Sequence, residues 1–140
     1  MCSHCDLPDL MRARGLKPTP NRLAVYAALA VAREALSPPA LLLRIRTDQA
    51  MDKVTLYRAL ESLHHKELVT RHEAGDGSVR YCAATPCHPE HHHFYCTRCQ
   101  RLLCLDPEPL QPALHLALPP GADLAHIHIR LDGTCSECRG

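Results

Sequence analysis

Leu68-Val69-Thr70-Arg71-His72-Glu73-Ala74-Gly75-Asp76-Gly77-Ser78-Val79-Arg80-Tyr81-Cys82 is the stretch that decides the fold. Its hydrophobic period is two, as in a strand with alternating faces. Gly75-Asp76-Gly77 supplies the turn, so residues 68–73 and 78–82 read as a β-hairpin. Upstream the period is helical. Lys53 to Leu63 carries Leu56, Leu60 and Leu63 as one buried stripe, with Asp52 as cap. Ser37-Pro38 opens another helix, about 37–46. Thr19-Pro20 opens one running to about Arg33, with Leu23, Tyr26, Ala27 and Ala30 at helical spacing. A first short helix spans about Asp6 to Gly15. Three helices followed by a hairpin is the plan of a winged helix-turn-helix, here preceded by a fourth helix.

Beyond the hairpin the composition changes. Pro86-Cys87-His88-Pro89 reads as a linker, dividing the chain into residues 1–85 and 86–140. The second part holds 6 of the 9 cysteines and 7 of the 11 histidines. A unit of that size buries too little surface to be stable alone and needs a staple or a partner chain. Strands are expected at about 91–95, 101–105 and 123–131, with a short helix over about 107–116. The fold class is therefore α+β: a winged helix followed by a small α/β domain.

Net charge is +1, with +3 on residues 1–85 and −2 on residues 86–140, so charge alone does not specify nucleic acid. The N-terminus has no apolar signal region and no apolar run approaches about 20 residues. A cytoplasmic protein without membrane contact is expected. In a reducing compartment C-x-x-C pairs read as metal or redox sites before disulfides.

Two such pairs, Cys96/Cys99 and Cys135/Cys138, form a four-thiolate zinc site with no open position, which is structural rather than catalytic. A second site is expected from His72, Cys82, His91 and His93. His91 and His93 share a strand face, and Cys82 and His72 lie on the hairpin just across the linker. A metal held there would couple its binding to the angle between the two parts, as a sensor requires. A third site is possible from Glu90, His92, Glu108, His126 and His128, with Asp106 as an alternative to Glu108. Cys2, Cys5, Cys87 and Cys104 have no assigned role, though Cys87 could compete with Cys82.

For DNA, a helix in the major groove must present side chains that reach phosphates and base edges. Lys53, Thr55, Tyr57 and Arg58 suit that task, and Lys17 and Arg22, with Thr19, at an earlier helix start suit backbone or minor-groove contacts. An ordinary solvated helix face would look much the same in composition.

Together these residues resemble the ferric uptake regulator family of bacterial metal-dependent repressors. The resemblance covers about residues 10–140. It rests on Leu16-Lys17-x-Thr19-x-x-Arg22, Val54-Thr55-Leu56-Tyr57-Arg58-Ala59-Leu60, His91-His92-His93 before Cys96-x-x-Cys99, and Gly133-x-Cys135-x-x-Cys138. It implies a winged helix joined to a dimerisation domain, and a homodimer that binds a palindromic operator when its regulatory metal is bound. Arg22, Tyr57 and Arg58 match the family's DNA-contacting positions, and the four cysteines match its structural zinc site. Iron sensors of the family usually have a Glu where this chain has Cys82, and a His where it has Ala35. Both departures resemble the zinc uptake regulators, since thiolate and imidazole suit zinc while iron(II) and manganese(II) prefer oxygen.

The expectation is a zinc-responsive repressor of metal-homeostasis genes, with structural zinc and a regulatory zinc. An iron-, manganese- or peroxide-responsive member of the family is the alternative. A thiol redox protein or zinc enzyme is remote. Neither C-x-x-C pair opens a helix in a βαβ setting, and no H-E-x-x-H or similar motif offers a general base. No catalytic residues and no small-molecule substrate are expected.

Overall fold

A computed structural model describes residues 6–85, 89, 91–106, 118–125 and 127–140. Four helices lead the chain: α1 Leu7–Ala13, α2 Pro20–Val31, α3 Pro38–Ile45 and α4 Lys53–His65. Each starts where a short polar side chain accepts a hydrogen bond from an otherwise orphaned N–H of the first turn. Asp6 accepts from Asp9 N (3.2 Å), Thr19 from Arg22 N (3.3 Å), Ser37 from Ala40 N (3.4 Å) and Asp52 from Thr55 N (2.7 Å). Proline follows the cap within the first turn of α1, α2 and α3, where a missing N–H costs nothing. α1 is capped at Arg14 and followed by Gly15, whose φ of +73° lies in the left-handed region that L side chains avoid.

The core between these helices is built from Val25, Tyr26 and Leu29 of α2, Leu41 and Ile45 of α3, and Leu56, Ala59, Leu60 and Leu63 of α4, with Met11 and Leu68. Each fully buried leucine contributes about 1.5–3 kcal/mol of transfer free energy. The buried face of α2 differs from the sequence expectation. Val25, Tyr26 and Leu29 take the interior, while Leu23 and Ala30 sit at its margin. α2 packs on both α3 and α4, so its apolar face is wider than one stripe. Tyr26 Oη donates to Thr85 Oγ1 at 2.9 Å and ties α2 to the chain leaving the hairpin.

The hairpin is β2 Val69–Glu73 against β3 Val79–Ala83, antiparallel, with Thr70 opposite Cys82 and His72 opposite Arg80. Asp76 shapes the turn by accepting from Ser78 N (3.0 Å) and Ser78 Oγ (2.7 Å). Gly75 is required for a different reason: a Cβ there would run into the ring of Tyr95.

The second sheet has the order β1-β5-β4-β6, with β1 Glu34–Ala35, β4 His93–Cys96, β5 Leu102–Cys104 and β6 Arg130–Gly133. β5 is antiparallel to both β1 and β4, and β6 is parallel to β4. A last short helix, α5 Ser136–Arg139, follows. The strand β1 was not foreseen. It lies between α2 and α3, yet pairs with β5, and the adjoining Leu36 bridges to Tyr81 of β3 through two hydrogen bonds of 3.0 and 2.8 Å. The hairpin and the second sheet are thus stitched together by residues 34–36. Ala35, Ala74, Cys82, Tyr95 and Leu102 form a small buried cluster at that seam.

The last strand also differs from expectation. Residues 118–125 and 127–129 carry no strand, which runs instead over Arg130–Gly133. The parallel pairing sets Gly133 opposite Cys96, and a Cβ at Gly133 would press on the Phe94 ring at 3.1 Å. That register delivers Cys135 to Cys96. The expected helix over about 107–116 lies outside the described residues, as does most of the expected linker.

Candidate metal centres and nucleic-acid interface

At one end of the second sheet the chain brings four thiols together. Cys96 closes β4, Cys99 ends the tight turn after it, Cys135 precedes α5 and Cys138 lies within α5. Their sulfurs all lie within 4.8 Å of one another. Gln100, at φ +63°, lets the turn fold back on itself. Cys135 N donates to Cys96 Sγ at 3.4 Å, and Cys99 Sγ lies 3.9 Å from Cys135 Sγ. The backbone N–H groups of Cys135 and Cys99 pull the Cys96 thiol down to about 6, whereas hydrogen bonding to Cys135 pushes Cys138 up to about 12. Four converging sulfur donors, with no other His, Cys, Asp or Glu joining them among the described residues, fit a tetrahedral divalent ion that lets all four stay deprotonated.

A second group forms across the seam. Cys82 on β3, His91 and His93 at the start of β4, and Cys104 on β5 have one donor atom each within 4.8 Å of the others. Cys82 Sγ is 3.3 Å from His93 Nε2 and 3.8 Å from Cys104 Sγ. His93 is fully buried and Cys82 nearly so. The two thiols divide their protons unequally. Hydrogen bonding from Cys82, then from His91 and His93, holds Cys104 down to about 3, while the same contact and burial push Cys82 up. Two imidazoles and two sulfurs in a water-poor site fit a borderline, thiophilic cation.

Of the residues expected at this second site, Cys82, His91 and His93 converge, and His72 does not join them. The hairpin register explains why: Thr70, not His72, is opposite Cys82. Cys104, unassigned in the sequence reading, stands in its place. A signal for it was present. Folding the chain back at Cys96-x-x-Cys99 pairs His93 with Cys104 across the β4–β5 hairpin.

His72 instead meets His93 and His128, with ring centroids 4.3 and 4.7 Å away. Burial first, and the neighbouring imidazoles next, drive His72 down to about 3, so it is neutral at ordinary pH. Of the third expected set, Glu90, Glu108 and His126 lie outside the described residues, as do Cys2, Cys5 and Cys87. His92 Nδ1 accepts from Ile129 N at 3.1 Å, and its ring lies 6.2 Å from that of His128. Asp106 is exposed.

Helix α4 presents the candidate DNA face. Lys53, Tyr57 and Arg58 are exposed, opposite the buried leucines, and Lys53 Nζ lies 5.8 Å from the Tyr57 ring. Thr55 is half-buried and joins Thr19, Asn21, Arg22, Arg58 and Ala59 around a groove of about 310 Å³ between the start of α2 and α4. Arg22 is held in place there, donating to Ser62 Oγ (3.2 Å) and Lys17 O (2.9 Å), while Thr19 caps α2. Lys17 is exposed. Val54, 59% exposed in the first turn of α4 and absent from the expected DNA contacts, has an apolar tip of the kind that meets a thymine methyl.

Among the described residues no helix is long and apolar enough to cross a membrane. Comparison with known proteins agrees with the fold. The chain is 28% identical over 135 residues to the ferric uptake regulation protein of Campylobacter jejuni, covering 92% of this chain and 83% of that protein. The Vibrio cholerae ferric uptake regulator superposes with a TM-score of 0.75 at 23% identity, over 93% of this chain and all of the other. A zinc uptake regulator solved with zinc and DNA superposes at 0.60 and 27% identity, over 94% and 89% of the two chains. The ferric uptake regulator family model matches residues 13–129. With the winged helix, the Cys/His clusters and a match over most of its length, the chain belongs to the ferric uptake regulator family of metal-responsive regulators.

Proposed function

We propose that this chain is a zinc-responsive DNA-binding repressor that acts as a cytoplasmic homodimer on a palindromic operator. The observation that carries the choice of metal is the donor set Cys82, His91, His93 and Cys104. Two sulfurs and two imidazole nitrogens, with no carboxylate joining them among the described residues, favour zinc over iron(II) or manganese(II). In this reading Cys96, Cys99, Cys135 and Cys138 hold a structural zinc, and residues 86–140 form the dimerisation domain. The six cysteines among the described residues are free thiols, in keeping with a reducing compartment.

The bound ion would supply the positive charge that keeps Cys82 and Cys104 deprotonated together. The rest follows from the chain. Cys82 belongs to the wing, His93 to β4, His91 to the approach to β4, and Cys104 to β5. Drawing these donors together fixes the wing against the second sheet, and Leu36 and Ala35 pass that constraint to the start of α3. α3 and α4 pack directly, so the orientation of the DNA-reading helix depends on the seam. Lys53, Thr55, Tyr57 and Arg58 then face the major groove, with Lys17, Thr19 and Arg22 beside the phosphates.

Two measurements test this reading. Anaerobic cobalt(II) titration of protein that keeps its structural zinc should give an intense thiolate-to-cobalt band that disappears in Cys82→Ser. DNA duplexes selected from a random pool with zinc present should bind with steep salt dependence and release on chelation. Tyr57→Ala and Arg58→Ala should each weaken that binding by about 5–150-fold, from the ~1–3 kcal/mol of a lost groove contact. Cobalt uptake without the thiolate band, or DNA binding indifferent to zinc, would overturn it.

A further inference from the structure

His93 has two faces, and the second-site donors occupy only one. Its Nε2 lies 3.3 Å from Cys82 Sγ, whereas its Nδ1 lies 3.2 Å from His128 Nε2. On that second side His72, His93 and His128 offer one nitrogen each, all within 4.8 Å of one another. We propose that these three histidines are a second, sulfur-free divalent-cation site, joined to the thiolate-bearing set through the ring of His93.

Three features point to a ligand rather than to ordinary packing. The imidazoles converge from three separate parts of the chain: β2, β4 and the segment before β6. Ring contacts of 4.3 and 4.7 Å place the imidazoles side by side, and a shared cation can take the place of the 3.2 Å contact between His93 Nδ1 and His128 Nε2. The His72 ring is steadied by a 2.8 Å hydrogen bond shared between Thr70 Oγ1 and His72 Nε2. There is also a way in. His72 and His128 line a cleft of about 870 Å³, while His93 is fully buried behind them.

The chemistry is that of imidazole alone, so the site takes a borderline divalent ion such as zinc, cobalt or copper(II) rather than calcium or magnesium. Filling both sets on one chain requires His93 to serve one ion through Nε2 and the other through Nδ1. The ring then loses its remaining N–H proton to solvent. This goes beyond the sensory reading, since neither His72 nor His128 belongs to the Cys82 set.

The test is anaerobic cobalt(II) titration of the whole chain with its structural zinc retained, followed by visible absorbance and by metal counting after gel filtration. The expected result is one thiolate-free cobalt per chain in addition to the cobalt that carries the thiolate band. His72→Ala and His128→Ala should each lower the affinity for that thiolate-free cobalt at least tenfold and leave the thiolate band in place. His128 is exposed, so its variant keeps the test open should His72→Ala fail to fold. Absence of thiolate-free uptake, or uptake that persists in both variants, overturns the proposal. Failure of the sensory reading would show separately, as loss of the thiolate band from the unchanged protein.

Discussion

The two cysteine-bearing clusters use similar donors to different ends. The four-cysteine set draws every sulfur from residues 96–138, at one end of one sheet, and joins the close of β4 to the flank of α5. The Cys82 set reaches across a seam. One sulfur comes from the wing, and the other donors come from β4, its approach and β5. In the proposed reading, closing the first set fixes a fold and closing the second fixes an angle. A metal can report its concentration only through donors whose separation changes between two states of the protein. Position in the topology therefore separates the two proposed roles, structural and sensory, better than ligand chemistry does.

The largest effect should come from breaking the first set. Cys96 is fully buried, accepts a backbone N–H from Cys135 and sits where β4 and β6 meet. In a part of the chain with few buried apolar residues among those described, metal binding is folding free energy. Cys96→Ser is expected to lower the unfolding temperature by about 10 °C or more and to abolish the stable dimer. Calorimetry and sedimentation check both. A dimeric Cys96→Ser protein with unchanged melting would remove the structural role and with it the contrast drawn above.

How far the sequence foretold this contrast depends on the kind of signal. Local signals were legible. The caps Thr19, Ser37 and Asp52 act within three residues of themselves, and the leucine stripe of α4 is set by helical period alone. The four cysteines were legible too, because paired C-x-x-C spacing carries its own geometry. Strand register was not. His72 and Cys82 lie on one face of a hairpin, but whether they meet depends on which residues are opposite, and Thr70 takes that place. Cys104 needed the β4–β5 pairing. The pairing of β1 with β5 joins residues about 70 apart, and a two-residue strand leaves no periodicity to read.

A smaller effect separates the thiols of the second set, Cys82 and Cys104, from Cys87. Cys82→Ser should leave melting of the zinc-retaining protein within a few degrees of the parent. It should collapse the metal-dependent gain in DNA affinity, about 5–150-fold in coupled systems of this kind, to near unity. Cys104→Ser should do the same, and Cys87→Ser should do neither. Fluorescence anisotropy on operator DNA, with and without zinc, measures all three. If Cys87→Ser abolished the response while Cys104→Ser did not, the set drawn from the seam would be wrong.

The smallest effect concerns a residue whose side chain bridges β1 and α5 through charged hydrogen bonds. Arg101 lies between Cys99 and Cys104 in the chain. Its Nε donates to Glu34 Oε2 at 2.8 Å and its Nη1 to Glu137 Oε2 at 3.1 Å. Glu34 also accepts from Arg44 at 2.8 Å, so one carboxylate links α3, β1 and the turn beside the four cysteines. The Glu34 side chain is only 13% exposed, but Arg101 is 41% exposed and Glu137 78%, so water and salt weaken the pairs. Arg101→Ala leaves Glu34 its Arg44 partner, and the expected loss is below about 1 kcal/mol, a shift of roughly 2–5 °C in melting. The shift should fade at high salt, and the cobalt spectra should be unchanged. A drop beyond about 10 °C, or a weakened thiolate band, would mean that the seam is held by charge as much as by the Ala35–Tyr95–Leu102 cluster. The sensory angle would then respond to ionic strength as well as to metal.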